Sequence, residues 1–206
     1  MRRLIDLTHT IEDRLPVYPG DMETHLVQTK LLNKDGYNYH SLKTGMHAGT
    51  HMDAPMHLID KDEYISQFGL ESFIGNGCVL DVRNEPVIKM KKEYESKIIE
   101  NSIVLLCTGQ CRKFGTVEYF EENPVVDFEL AKFLIQKKIK ILGIDSPSPD
   151  RYPFEIHKLL FNNNILLIEN LANVEELLPE KEFEIIAFPL KIKAEGSILR
   201  VVARVV

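Results

Sequence analysis

Short apolar runs separated by polar residues predict a mixed α/β structure in which strands outnumber helices. Runs of apolar residues bounded by turn-forming residues are typical of strands, and they occur at 4–7, 26–32, 78–82, 103–107, 139–144, 165–168, 184–192 and 198–206. Apolar residues at helical spacing predict helices at 91–100, 127–138 and 154–161. Asp127 is placed to cap the second of these helices, and Pro153 lies near the first turn of the third.

The order of these elements predicts two parts of the topology. The helix at 127–138 followed by the apolar run 140–144 predicts an α/β crossover, and the last two runs predict an antiparallel pair that turns around 194–197. The sequence contains no internal repeat, linker or low-complexity segment. We therefore expect one mixed α/β domain over residues 1–206, with a sizeable sheet or a barrel-like core.

The composition argues against nucleic-acid and membrane partners. The chain has 206 residues, of which 44% are hydrophobic and 27% charged, as in ordinary globular proteins. Its net charge is −6, and it lacks a dense stripe of lysine and arginine, so we expect no nucleic-acid partner. No apolar stretch is long enough to span a membrane, and Asp6 and His9 interrupt any secretory signal after Met1. These features predict a cytoplasmic protein with no membrane partner.

The number and spacing of the cysteines also predict a cytoplasmic protein. The three residues Cys78, Cys107 and Cys111 form no disulfide framework for a chain of this length, so we expect reduced thiols. The spacing of Cys107 and Cys111 leaves open a metal pair. Cys107 ends an apolar run, however, and burial in a strand is the favoured interpretation.

The stretch 47–57 carries the candidate chemistry. Three of the seven histidines, His47, His51 and His57, lie within these eleven residues together with Asp53. Imidazole nitrogen and carboxylate oxygen are the usual ligands of zinc and similar ions. A helix would not align Asp53 with the two histidines, and a straight strand would hold His47 and His51 about 13 Å apart. We therefore expect a turn at Gly49 that leads into an extended segment.

Two alternatives to a catalytic metal remain open for this stretch. One is a surface loop that is rich in histidine by chance, and the other is a structural metal site. Structural zinc sites usually have four protein ligands, mostly cysteine and histidine. Only three ligands are local here, which leaves room for water on the metal, as hydrolysis requires. His57, four residues after Asp53, is either a fourth ligand or a neighbouring base.

A second group of polar residues lies in the C-terminal half. His157 falls on the short predicted helix and Glu169 ends a predicted strand, positions where a packed histidine and an acid at a sheet edge are also common. The turn predicted at 162–164 would fold the helix back on the strand and bring the two side chains together. Asp145 follows a strand, where a functional role and a capping role are equally compatible with the sequence.

The stretch 47–57 resembles the signature of the cyclase family, which includes bacterial kynurenine formamidases and isatin hydrolases. The matching residues are His47-x-Gly49-Thr50-His51-x-Asp53-x-Pro55, followed by His57. Weaker matches occur in the expected order, at Asp6-Leu7-Thr8, 16–21, 106–109, 143–148 and from His157 to Leu171. The resemblance covers nearly the whole chain.

The resemblance implies a homodimeric or larger hydrolase of the swivelling β/β/α fold with one or two divalent ions, zinc first and manganese as the alternative. It implies that His57 is the catalytic histidine and that the metal ligands are His47, His51, Asp53, His157 and Glu169. Asp53 would bridge two ions. The formamidases carry a tryptophan in the segment that matches 16–21, where this chain has Tyr18 and no tryptophan at all. The substrate is therefore open, and Tyr18 is a candidate substrate-binding residue.

These observations favour metal-assisted hydrolysis of an amide, either N-formyl or cyclic, or of a similar acyl bond in a small molecule. The enzyme would act on carbon–nitrogen bonds other than peptide bonds, as an arylformamidase does, with metal-activated water and His57 as the proton carrier. A lyase or cyclase in which His57 is the base is one rival. A non-catalytic metal-binding or ligand-binding protein is the other. A serine hydrolase is disfavoured because no Gly-x-Ser-x-Gly motif occurs.

Overall fold

A computed structural model describes residues 3–205 of the chain. The strands in chain order are β1 (Arg3–Asp6), β2 (His25–Lys30), β3 (Tyr39–Lys43), β4 (His51–Asp53), β5 (Ile74–Asp81), β6 (Val87–Ile88), β7 (Ile103–Cys107), β8 (Val125–Val126), β9 (Ile141–Ile144), β10 (Leu166–Glu169), β11 (Phe183–Ile186), β12 (Gly196–Ile198) and β13 (Val202–Val205). The α-helices are α1 (Leu32–Asp35), α2 (Tyr94–Lys97), α3 (Val117–Glu121), α4 (Phe128–Gln136) and α5 (Glu155–Phe161).

Nine strands form one curled sheet in the order β1-β13-β11-β5-β7-β9-β10-β4-β12. Strands β5, β7, β9 and β10 are parallel to one another and lie in the middle of the sheet. The remaining pairs are antiparallel, including β4 with its two neighbours β10 and β12. Two small sheets, β2–β3 and β6–β8, are not hydrogen-bonded to it.

Strands β7, β9 and β10 are buried on both faces, which explains their unbroken apolar runs. In β7, Ile103, Leu105 and Cys107 belong to one hydrophobic core, whereas Val104 and Leu106 belong to another on the opposite face. Helices α4 and α5 cover the second core. The Asp127 carboxylate accepts a hydrogen bond from the Leu130 amide, so the predicted cap of α4 is confirmed.

The predicted fold class is confirmed: the chain is a mixed α/β protein with a curled, half-barrel sheet. The strand at 103–107 and the crossover through α4 into β9 occur as predicted. The helix at 91–100 is reduced to the single turn of α2. The run 26–32 ends as a strand at Lys30, and Leu32 begins α1.

The antiparallel pair predicted to turn around 194–197 is present in its pairing, because β11 pairs with β13 and a bridge between Pro189 and Leu199 continues the same register. The strands themselves are shorter than predicted. Strand β11 ends at Ile186 rather than at residue 192, and the run 198–206 is divided between β12 and β13, with Val206 outside the described residues. Strand β13 does pair antiparallel with β11, but β12 crosses to β4. Gly196 permits that approach, because a Cβ atom there would lie 2.7 Å from the Met52 carbonyl oxygen.

Two further observations bear on the composition-based expectations. Within residues 3–205, no helix is both long and apolar enough to cross a membrane. Cys78, Cys107 and Cys111 are free thiols, and Cys107 is buried in β7 as expected. Burial raises the pKa of the Cys107 thiol to about 12.

Candidate metal centre and active site

A tight turn delivers the signature residues to the sheet. Gly49 adopts a left-handed conformation with φ of +59°, and a Cβ atom there would lie 2.8 Å from a methyl group of Leu15. The chain then enters β4, which is buried between β10 and β12. The predicted turn followed by an extended segment is therefore present, and it brings His47 to the two ligand candidates on β4.

Pairing of β4 with β10 places Glu169 opposite His51 across the sheet. The Nε2 atom of His51 lies 3.4 Å from a carboxylate oxygen of Asp53 and 3.4 Å from one of Glu169. The Nδ1 atom of His51 lies 2.8 Å from the Gly49 carbonyl oxygen. Because a carbonyl can only accept, Nδ1 carries the proton, and the lone pair of neutral His51 is on Nε2.

His157 reaches the same point from α5. The turn at 162–164 reverses the chain between α5 and β10, and the Nε2 atom of His157 lies 3.2 Å from Glu169 Oε1 and 3.9 Å from Asp53 Oδ2. Its Nδ1 atom lies 2.5 Å from Asp150 Oδ1. The other oxygen of Asp150 accepts hydrogen bonds from the amides of Ile156 and His157 at the start of α5.

These side chains form two overlapping ligand groups that share Asp53. His47, His51 and Asp53 offer ligand atoms within 4.8 Å of one another, and so do Asp53, His157 and Glu169. Three buried atoms, His51 Nε2, Asp53 Oδ1 and Glu169 Oε1, make no hydrogen bond of good geometry. The neighbouring imidazole nitrogens are close to two of them, with His47 Nδ1 2.7 Å from Asp53 Oδ1 and His157 Nε2 3.2 Å from Glu169 Oε1. Orphaned buried polar atoms are costly, and three converging nitrogen and oxygen donors match the preference of a zinc-like cation. The residues present therefore fit a divalent metal.

Without metal, the carboxylates hold protons on the histidines. Burial opposes the charge of His47, but Asp53, Glu169 and Glu195 outweigh it and raise the pKa of His47 to about 9. Burial also opposes the charge of His157, but the nearby carboxylates of Asp150 and Glu169 raise its pKa to about 10. Burial disfavours the Asp53 carboxylate, yet the histidine charges lower its pKa overall.

His57 stands beside this cluster. It ends a short 3-10 helix, Pro55–His57, and its ring centroid lies 4.1 Å from that of His47. It belongs to neither ligand group. Burial, as the largest effect, lowers the pKa of His57, which favours its neutral form. The ring also lines the adjoining pocket, where a bound molecule would meet it.

A pocket of about 220 Å³ opens onto the cluster. Three aromatic residues, Tyr18, Phe120 and Phe154, contribute to its walls, and the Tyr18 and Phe120 rings meet edge to face with centroids 6.0 Å apart. His47, His51, Asp53, His57, His157 and Glu169 are also at its surface. Each site residue predicted from the sequence, Tyr18 included, therefore reaches one cavity.

Supporting residues were missed from the sequence. Asp150 orients His157, and a carboxylate shortly before a predicted helix was the available signal. Asn170 donates to the Gly49 carbonyl at 2.9 Å and accepts from the buried Tyr119 hydroxyl at 2.6 Å, so it links β10 to the signature turn. Glu195 lies 3.2 Å from His47 Nε2, although the sequence indicated only a turn there.

Asp145 has a supporting role within the described structure. Its carboxylate accepts hydrogen bonds from the amide and hydroxyl of Thr108 and from the Gly109 amide, which joins the loops after β7 and β9. Burial raises the pKa of Asp145, and these hydrogen bonds only partly offset that effect. Its place among these donors favours the capping alternative over a role in the metal cluster.

Comparison with known proteins identifies a family and relatives of similar fold. Residues 5–151 match the model of the family described as "Putative cyclase". A kynurenine formamidase from Bacillus cereus is 30% identical over 97% of this chain and 96% of its own length. Isatin hydrolase A from Labrenzia aggregata, solved with benzyl benzoate, is 27% identical and covers 99% of this chain and 94% of its own, with a TM-score of 0.87. A structure described as a predicted metal-dependent hydrolase from Bacillus stearothermophilus has 25% identity, coverage of 99% and 98%, and a TM-score of 0.80.

Proposed function

The chain belongs to the cyclase family, and on that basis we propose that it is a metal-dependent hydrolase that cleaves an amide bond of a small aromatic molecule. The bond is an N-formyl amide or a cyclic amide, outside the class of peptide bonds. Relatives named kynurenine formamidase and isatin hydrolase support this reaction class. The whole chain, residues 1–206, acts as one domain in this proposal.

The observation that carries the proposal is the convergence of three orphaned buried atoms at the base of an aromatic pocket. His51 Nε2, Asp53 Oδ1 and Glu169 Oε1 make no hydrogen bond of good geometry, and they belong to ligand groups that adjoin the same cavity. A purely structural ion would not need such a cavity. The combination of unsatisfied ligands and an open pocket therefore supports a catalytic metal.

The ligands divide into a group of His47, His51 and Asp53 and a group of Asp53, His157 and Glu169, so the site suits one or two ions with Asp53 common to both. Zinc is the first choice because the donors are imidazoles and carboxylates, and manganese is the alternative. A divalent cation held there supplies Lewis acidity, which polarises a carbonyl and lowers the pKa of water.

The protein side chains supply position and proton transfer. His57 borders the pocket without joining either ligand group, so it is free to carry a proton between water and the leaving nitrogen. Asp150 and the Gly49 carbonyl fix the rings of His157 and His51, so that both present Nε2 to the site. Tyr18, with Phe120, forms an aromatic wall against which a planar substrate packs.

Two finer expectations belong to the same proposal. The chain works as a homodimer, and it does so in the cytoplasm. The free cysteines and the acidic composition are compatible with that compartment. Neither expectation affects the chemistry of the metal centre.

Isotope labelling separates this reaction from its rival, a metal-dependent elimination or cyclisation. We would incubate the zinc-loaded protein with an N-formylated aromatic amine or a cyclic aromatic amide in ¹⁸O-labelled water. Hydrolysis incorporates one labelled oxygen into the carboxylic acid product. A product without label would instead support elimination, and binding without turnover across both amides would support a non-catalytic role.

A further inference from the structure

We propose that Tyr119 is a positioning residue for the metal ligand His51 and that it acts through the side-chain amide of Asn170. The three side chains form one buried chain of hydrogen bonds that passes through the Gly49 carbonyl oxygen. Tyr119 itself belongs to neither ligand group and does not line the pocket. This inference rests on the metal centre proposed above, because the role it assigns is toward a bound cation.

The orientation of the Asn170 amide follows from the chemistry of its neighbours. The Nδ2 atom lies 2.9 Å from the Gly49 carbonyl oxygen, which can only accept a hydrogen bond, so this end of the amide is the nitrogen. The oxygen end therefore faces the Tyr119 hydroxyl at 2.6 Å. Burial raises the pKa of Tyr119 well above its ordinary value, so the hydroxyl keeps its proton and donates a hydrogen bond to Oδ1. Rotation of the amide by half a turn would set Oδ1 against the Gly49 carbonyl oxygen.

The Gly49 carbonyl oxygen joins Asn170 to the metal ligand. It accepts one hydrogen bond from Asn170 Nδ2 and another from His51 Nδ1, at 2.9 and 2.8 Å. The bond at Nδ1 sets the angle of the imidazole ring and leaves Nε2 aimed at the site. A second contact holds the same turn, because the Thr50 hydroxyl donates to the Asn170 carbonyl oxygen at 2.6 Å. Asn170 therefore fixes the carbonyl group that in turn fixes His51.

The backbone of Asn170 is held in an uncommon conformation at this contact. Its φ is +55°, in the left-handed region that asparagine adopts more readily than most residues. The change of direction comes directly after Glu169, the last residue of β10, and the Asn170 amide nitrogen donates to the Ser146 carbonyl oxygen at 3.0 Å. Such conformations cluster at functional sites, where surrounding contacts offset the strain. The hydrogen bonds to the signature turn are contacts of this kind.

The Tyr119 hydroxyl lies in surroundings that otherwise require only an aromatic ring. The side chain is fully buried, and its ring meets those of Phe114 and Phe120 edge to face, with centroids 5.3 and 5.1 Å away. Phenylalanine would make the same ring contacts. Removing the hydroxyl leaves Asn170 Oδ1 without its donor and frees the amide to rotate away from Gly49. The expected result is a poorly positioned His51 in a protein whose core packing is kept.

Zinc titration of the full chain against a competing chelator tests the role of the hydroxyl. Tyr119→Phe should weaken zinc binding about 10-fold, the low end of the effect expected when a ligand loses its supporting partner. Tyr94→Phe is the matched control and should bind zinc as the wild type does, because Tyr94 is also buried but its hydroxyl makes no hydrogen bond of good geometry. Circular dichroism checks that both variants fold. With cobalt in place of zinc, the visible spectrum reports ligand geometry and should change in Tyr119→Phe alone.

A double-mutant cycle tests whether Tyr119 acts through Asn170. Asn170→Gly suits the positive φ and removes the amide, so the fold should persist while zinc binding weakens at least as much as in Tyr119→Phe. Once the amide is absent, adding Tyr119→Phe should cause no further loss of affinity. Additive losses, or a Tyr119→Phe protein that binds zinc as tightly as Tyr94→Phe does, would overturn the inference but leave the metal centre in place. A wild-type chain that binds no zinc would overturn both.

Discussion

The Nδ1 atom of His157 lies 2.5 Å from Oδ1 of Asp150, while Nε2 of the same ring faces Glu169 at 3.2 Å. The carboxylate thus selects the tautomer that leaves Nε2 available to a metal. Asp150 also accepts two amide hydrogen bonds at the start of α5, so one side chain fixes both the helix and its ligand.

We therefore expect Asp150→Ala to weaken metal binding about 10–100-fold, the usual effect of removing such an outer partner. Asp127→Ala is the matched control, because it removes the aspartate that caps α4 but lies outside the metal cluster. Both variants should lose about 1 kcal/mol of stability, typical of a lost cap. Titration with zinc under a competing chelator measures the difference, and equal metal affinity in the two variants would show that Asp150 serves α5 alone.

Glu169 contributes an orphaned oxygen on β10, next to the imidazoles of His51 and His157. Glu169→Gln keeps the shape of the side chain but removes its charge, so the metal content should fall while the fold persists. Glu184→Gln on β11 removes a carboxylate that pairs with Arg204, outside the pocket, and should keep its metal. Metal analysis and circular dichroism on both proteins check this expectation. Full metal occupancy in Glu169→Gln would remove Glu169 from the ligand set.

His57 and His51 should respond differently to truncation. His57→Ala should keep nearly full metal content and lose about 10²–10⁴ in turnover, the usual contribution of general acid–base catalysis. His51→Ala should lose most of its metal and essentially all of its activity, since its Nε2 is one of the orphaned atoms. Metal content and turnover are measured on the same preparation. Parallel loss of both in His57→Ala would identify His57 as a ligand.

Local sequence predicted the metal cluster better than it predicted the sheet. Gly49 and the signature histidines lie within eleven residues, so a local turn at Gly49 brings them close together. The partnership of His157 with Glu169 also follows from a short turn between adjacent elements. Both predictions depend on contacts that are close in sequence.

The remaining features depend on pairing between distant segments. Strand β12 joins β4 at the other end of the sheet from β11 and β13, where Gly196 fits against Met52. This contact joins residues far apart in sequence, and no local pattern indicates it. Residue 195 was expected to form only a turn, yet Glu195 reaches His47 for the same reason. Only the first strand of the β2–β3 hairpin was predicted, because Tyr39–Lys43 contains no run of apolar residues.

The histidine pKa values predict opposite pH trends for the metal-free and metal-loaded protein. His47 and His157 have their pKa raised from 6.5 to about 9 and about 10 in the folded, metal-free state. Their protonation therefore stabilises that state fully below about pH 6.5, and this stabilisation is lost as the pH rises toward 9 and 10. Metal ligation requires neutral imidazoles, so the increase in Tm on adding zinc should grow with pH.

Calorimetry in buffers of different ionisation enthalpy measures how many protons are released when zinc binds. Zinc binding near pH 7 should release protons, because both imidazoles are protonated before the metal enters. Replacing His57 should leave that release nearly unchanged. A zinc-induced rise in Tm that is the same at pH 6 and pH 9, with no proton release, would show that zinc does not displace protons from these histidines.

Removal and return of the metal is the most direct test of the proposed hydrolase. The protein is stripped with a strong chelator, divided, and titrated with zinc or manganese while bound metal and hydrolysis of an N-formylated aromatic amine are followed together. We expect no turnover in the stripped protein and a recovery of activity that rises in proportion to the metal bound at His47, His51 and Asp53. Full turnover by the metal-free protein would contradict the proposal that the hydrolase depends on a metal.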